Sequence, residues 1–233
     1  MSEHLTRKEL KTDQVALTVE SAFDYFELHR KQVFQIAAAV VVAAALGLGT
    51  YLWWDHTRTV RQGQLSEAMQ TADATVGASQ ANALSYPTQV AKDAAVQKAF
   101  SEVAAQHGGS REGSIAEYTL AGIASAAGRN DEARKRYERV AETGGKDYQS
   151  LARIALAQLD FAENKDADGE KLLRDLMNSP TAVVSKEQAT VTLAKSIGRK
   201  RPAEARALLA PLMKESGEVG QIATAAQSEL QAK

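Results

Sequence analysis

Read as apolar and polar positions, the chain changes character twice. After Thr12 apolar residues recur every three or four positions, at Val15, Val19, Ala22, Phe23 and Phe26, with Glu20, Asp24 and Glu27 on the opposite face. That spacing predicts a short amphipathic helix capped by Thr12 or Asp13. From Val33 to Trp54 the polar face is gone. VFQIAAAVVVAAALGLGTYLWW holds no charge, and Gln35 and Thr50 are its polar side chains. After Asp55 the helical spacing returns and continues to the end, in segments divided by Gly, Ser, Asn and Pro.

The unbroken apolar run decides where the chain sits. About 22 helical residues span roughly 33 Å, close to the hydrocarbon thickness of a bilayer. A core helix of a soluble domain would keep a polar face. A cleaved leader would have a short basic start and small residues at its cut, but here 32 residues come first and the run ends in Tyr51, Leu52, Trp53 and Trp54. Trp and Tyr suit a membrane–water boundary. The expected element is a retained transmembrane helix over 33–54, with the lipid bilayer as its first partner. Arg30 and Lys31 on one side balance Arg58 and Arg61 on the other. The wider distribution breaks the tie: Arg7, Lys8, Lys11, Arg30 and Lys31 precede the span, whereas Lys92 is the next base after Arg61. This predicts a cytoplasmic tail over 1–32 and a translocated domain over 55–233. Ala39, Ala43 and Gly47, four apart, make a candidate packing face for another helix, although Ala is abundant throughout the run.

The translocated part is long enough for one domain with a sizeable core. Its apolar pattern predicts helices over Thr57 to Thr75, about Thr88 to His107, Ser114 to Ala127, Asp131 to Glu142, Asp147 to Glu163, Asp166 to Asn178, Ser185 to Ser196, Pro202 to Ser216 and Val219 to Leu230. Gly77 to Pro87 reads as a connection, and GGSREG at Gly108 to Gly113 as a break. The segments repeat. Phe100 and Val103, Tyr137 and Val140, Leu173 and Leu176, and Leu209 and Leu212 form equivalent pairs about 36 residues apart. Ala133, Gly169 and Ala205 stand four before the last three pairs. Helix-pair repeats have this period, each pair burying its face on the next. The fold class expected is all-α: one membrane helix followed by a solenoid of helix pairs.

The first of these units resembles a tetratricopeptide repeat. Leu120-Ala121, Gly128, Ala133 and Tyr137 match that pattern's large, small, turn-glycine, small and aromatic positions. The second unit matches at Leu156-Ala157, but Gly169 replaces the usual Ala and Asn164 stands in the turn-glycine place. The third departs further, with a longer turn at GRKRP and Pro211 inside its second helix, where Pro should kink or shorten it. Across nearly the whole chain, the LTRKELKTD tail, the amphipathic lead-in, the single span and the degenerate repeat domain are similar to the YfgM-like family of bacterial inner-membrane proteins. The resemblance implies a cytoplasmic N-terminus and a periplasmic repeat domain. It also implies an ancillary place beside the Sec translocon, with a membrane-anchored periplasmic chaperone of prolyl-isomerase character and newly exported, unfolded proteins as partners.

Composition narrows the chemistry. A net charge of −1 argues against a general nucleic-acid binder, and the lack of cysteine excludes disulfides, thiol catalysis and zinc–thiolate sites. His4, His29, His56 and His107 show no metal-ligand spacing. No phosphate-binding loop or GxSxG elbow occurs, so no catalytic residue and no cofactor are expected. The basic run at Arg199, Lys200 and Arg201 reads first as a solvated turn, with contact to anionic lipid or a partner as the alternative. In repeats of this kind the first helix of each pair lines a concave surface. That places Ile115, Tyr118 and Gly122, then Leu151, Ile154, Gln158 and Phe161, in a candidate partner groove, unless they are buried as core. The functional expectation is a non-catalytic, membrane-anchored interaction protein at the export channel. The alternative is a repeat scaffold for another envelope assembly, such as division or outer-membrane biogenesis.

Overall fold

The structure is a computed structural model that describes residues 30–77 and 84–231. The amphipathic helix expected after Thr12 lies outside these residues. The chain divides into two compact units, Met1–Thr59 and Val60–Lys233.

The described part of the first unit belongs to a single helix, α1 (Arg30–Asp73), which continues into the second. From Phe34 to Trp54 every side chain is exposed. The Thr50 hydroxyl donates to the carbonyls of Leu46 and Gly47, both at 2.9 Å, so this polar group is satisfied within its own helix.

Among the described residues the second unit is all-α apart from two short strands. After α1 come β1 (Thr75–Val76), β2 (Ser85–Tyr86), α2 (Gln89–Gln106), α3 (Arg111–Ala126), α4 (Asn130–Thr143), α5 (Lys146–Ala162), α6 (Asp166–Asn178), α7 (Lys186–Ile197), α8 (Pro202–Leu212) and α9 (Glu218–Gln231). From α2 on, each helix packs on the next; α3, α5, α7 and α9 also touch in succession. The odd-numbered helices thus form one layer and the even-numbered helices the other. This is the stacking that helix-pair repeats require, because neither helix of a pair can bury its apolar stripe alone.

The repeat period marks the core. Phe100, Tyr137, Leu173 and Leu209 are buried, as are Val103, Val140, Leu176 and Leu212. They join three successive clusters. Leu65 and Ala68 of α1 meet Phe100, Val103, Ala116 and Leu120. Ala121 and Ala124 meet Tyr137, Val140, Ala152 and Leu156. Ala157, Leu173 and Leu176 meet residues of α7, α8 and α9. Small residues at the crossings let the helices approach. Ala116, Ala121, Ala133, Ala152, Ala157, Ala194 and Ala205 are fully buried.

Several boundaries differ from the sequence expectation, each for a local reason. Helix α3 begins at Arg111, not Ser114, because Ser110 caps it and accepts the Gly113 N–H at 3.0 Å. The break therefore shrinks to Gly108 and Gly109. Gly113 can occupy that first turn because a β-carbon there would stand 2.0 Å from the His107 carbonyl oxygen. Helix α8 stops at Leu212: the Met213 N–H still reaches the Leu209 carbonyl, but the Lys214 and Glu215 N–H groups turn to the carbonyls of Pro211 and Leu212, only three residues back. Between α1 and α2 the connection carries a parallel pairing of Thr75 with Ser85 and Val76 with Tyr86. Asn164 takes φ 60°, the left-handed conformation that Gly128 adopts at φ 73° one unit earlier. Asn tolerates that region better than other residues with a β-carbon.

Candidate partner-binding face

Two surfaces in the described structure are fit for contact: the apolar part of α1 and the inner layer of the repeat unit. Within the region Phe34–Asp73 of α1, an 18-residue window reaches a mean hydropathy of 2.0 with none of it buried. By length and composition the helix can cross a membrane. Ala39, Ala43 and Gly47 are exposed on it, and a β-carbon placed on Gly47 would meet no neighbouring group within 4 Å.

On the inner layer, the groove residues read from the repeat pattern are half-buried, Gln158 excepted, which is exposed. Ile115 packs on the first core cluster, Tyr118 on the second, and Leu151, Ile154 and Phe161 on the third. Of the groove residues, Gln158 and Phe161 line two different cavities. Tyr118 is held edge-on between two other rings. Its centroid lies 5.4 Å from that of Tyr137 at 63°, and 6.1 Å from that of Tyr148 at 68°. Burial raises the Tyr118 pKa, and the nearby Tyr148 raises it further. Tyr137 is raised in the same way, by burial and then by Tyr118. These phenols therefore stay neutral at ordinary pH. Phe161 leans on Gly169, where a β-carbon would stand 2.9 Å from the ring.

The open space lies one repeat further on. A cavity of about 800 Å³ runs between α5, α7 and α9, lined by Gln158, Gln188, Val191, Thr192, Val219 and Ile222 among others. Glu187 and Glu218 stand at one end and Lys195 and Ser196 at the other. A second cavity of about 560 Å³ also touches Lys195 and Ser196, and continues past Phe161 to Gly198, Arg199 and Lys200. Gln188, Val191 and Lys195 are the counterparts, by the repeat period, of Leu151, Ile154 and Gln158. Extending the period into the third unit would have found them. The contributions of Val219 and Ile222 needed the packing of α9.

Buried carboxylates pin the layers together. Glu117 of α3, 8% exposed, accepts from Arg136 at 2.9 Å and from Arg139. Asp160 of α5 pairs with Arg134 at 2.8 Å, and Arg134 also reaches Glu163 at 3.0 Å. Burial opposes the charge on Arg134 and on Arg136, but the facing carboxylates outweigh it and hold both guanidinium pKa values above normal. Further along, Glu170 of α6 accepts from Arg201 and from Arg174, and Lys200 reaches Asp166 at 2.7 Å. Apart from Glu170–Arg174, which lies within α6, these pairs join one helix to another helix or its flanking turn, so they build the face and offer no reactive group. Among the described residues, no group of three or more His, Asp or Glu is placed to hold a metal ion. The arrangement can bury apolar side chains and bind polar backbone.

A family model described as a tetratricopeptide repeat-like domain matches residues 29–189. No curated protein and no solved structure matches the chain.

Proposed function

The chain belongs to the tetratricopeptide repeat-like domain family, and from that premise we propose that it is a membrane-anchored, non-catalytic interaction protein. Its α1 span holds it in the bacterial inner membrane, with the N-terminal tail in the cytoplasm and the repeat unit in the periplasm. One observation carries this reading. A helix with a fully exposed apolar stretch of membrane length belongs to the same chain as a helix-pair stack whose inner layer opens into a cleft. Confinement to a membrane raises effective concentration, so a cleft of modest affinity suffices for capture.

The finer assignment is an ancillary subunit of the Sec translocon that recruits a membrane-anchored periplasmic chaperone or prolyl isomerase, or newly exported unfolded proteins. The layout of tail, span and repeats supports it, as does the resemblance to the YfgM-like family. Ala39, Ala43 and Gly47 are the proposed helix contact within the membrane. Ile115, Tyr118, Leu151, Ile154 and Phe161 are proposed to shape the partner face beside the cleft.

Site-specific photocrosslinking in native membranes tests this, with the probe at Ala43 in the span and at Gln158 on the inner layer. The expected adducts are translocon subunits from position 43 and a chaperone or exported chain from position 158. Adducts confined to division or outer-membrane biogenesis proteins would overturn the translocon assignment in favour of an envelope scaffold. No protein adduct from either position would overturn the interaction role itself.

A further inference from the structure

We propose that the cleft between α5, α7 and α9 takes an extended segment of another polypeptide, with a basic residue at one end, a large aliphatic side chain in the middle and an acidic residue at the other end. This rests on the reading of the chain as an interaction protein and adds the chemistry of what it holds.

The cleft has an apolar floor between two unlike ends. Val191, Val219 and Ile222 form the floor. Ile222 is 48% exposed, an aliphatic surface that a partner's side chain would cover. At one end stand Glu187 and Glu218, in the first turns of α7 and α9. Their position suits the helix dipoles, which alone would explain acidic residues there. The pairing around them distinguishes this end. Among the described residues neither carboxylate closes an ion pair, whereas Lys195 is tied to Glu229 at 2.8 Å and Lys200 to Asp166. The acidic end therefore keeps its negative charge, with Lys186 beside Glu187, whereas Lys195 at the opposite end is already paired. Toward the other end, past Lys195, Arg199 closes no ion pair either and keeps its positive charge. A segment with opposite charges at its ends fits this polarity in one direction only.

Two observations favour an extended backbone over a helix. The side-chain amides of Gln158 and Gln188 are exposed along the cleft and make no hydrogen bond to the described protein. An extended chain has unpaired N–H and C=O groups for them, whereas a helix has already satisfied its own. The length also fits. The 12 residues of α7 cover about 18 Å, which an extended chain spans with five or six residues.

The test uses the full chain in detergent micelles and two fluorescent hexapeptides, RSLTLE and ESLTLE, read by anisotropy. RSLTLE is expected to bind at least about fivefold more tightly, because only it places a cation between the two carboxylates. In the double variant Glu187→Lys with Glu218→Lys the order is expected to reverse. Ile222→Asp is expected to remove binding of both peptides while the helical content stays that of the native chain. Equal binding of the two peptides, or an order unchanged in the double variant, overturns the proposal. If that happens while the crosslinks from Gln158 persist, the interaction role stands and the cleft chemistry falls. Loss of the crosslinks in the native chain would defeat the role instead.

Discussion

The ring of Phe161 fills the place where a side chain on Gly169 would be. A β-carbon there would stand 2.9 Å from two ring carbons and 2.9 Å from the Ala157 carbonyl oxygen. The two helices of the second repeat, α5 and α6, cross there with no spare room. The glycine that breaks the repeat pattern is therefore matched to an aromatic ring eight residues earlier in the chain.

Gly169→Ala tests that match. Helix propensity alone would make alanine stabilising by up to about 1 kcal/mol. The contact with a backbone carbonyl, which cannot rotate aside, reverses the sign. We expect a net loss of about 1–3 kcal/mol in urea denaturation, in the range of overpacked cores. Phe161→Leu should recover only part of it, because the carbonyl contact remains. A stabilised Gly169→Ala variant would show that the helices can move apart freely.

Glu117 and Arg139 should respond very differently to truncation although they bond to each other. Glu117 is buried, and its removal leaves the half-buried Arg136 with Glu132 as its remaining carboxylate partner. Glu117→Ala should cost about 3 kcal/mol, as the loss of one partner of a buried pair does. Arg139 is 58% exposed at its side chain, and Arg139→Ala should cost less than about 1 kcal/mol. Chemical denaturation of both variants decides it, with equal losses as the contrary result.

Acid should weaken the repeat unit in a definite direction. Arg201 and then Arg174 hold the Glu170 carboxyl below its usual pKa. Glu132 is lowered by Arg129 and Arg136, and Glu163 chiefly by Lys165, with Arg134 adding to it. For each, the unfolded chain binds the proton more tightly than the folded one. Their contribution is whole above the ordinary Glu value of about 4.3 and is lost as pH falls through the folded value. Denaturation midpoints should fall on acidification below about pH 5. Glu170→Gln should flatten part of that slope and leave the rest. A slope identical in the variant would remove Glu170 from the account.

Replacing Val33 to Trp54 with plain leucine separates anchoring from recognition. A leucine span keeps the length and the hydropathy but loses the small face of Ala39, Ala43 and Gly47. Loss of the crosslinked neighbours at the span, with membrane retention unchanged, is the expected result. Retained neighbours would mean that α1 only tethers.

The helix register was legible because it depends on spacing, and spacing survives in the sequence. Asp166 to Asn178 was read with the bounds the structure gives it. The pairs from Phe100 and Val103 to Leu209 and Leu212 marked the core before any fold was known. Asn164 was legible as a turn because its place in the period was that of Gly128. What spacing cannot carry is the identity of partners far apart in sequence. Nothing local announces that Arg134 reaches Asp160, or that Leu230 of α9 closes on Gly198. The cleft was missed for the same reason: α9 supplies one wall, and that wall exists only once α9 has packed on α7. The strands at Thr75 and Ser85 were hidden by shortness, since two residues have no period.

A stack whose helices touch only their near neighbours has no keystone. Among the described residues helix α9 rests chiefly on α8 and α7, so the C-terminal end can loosen while the pairs nearer α1 keep their shape. The cleft is built at that end. The part of the protein proposed to grip a partner is thus also the part whose grip can slip first, and it can be remade without the rest of the stack coming apart.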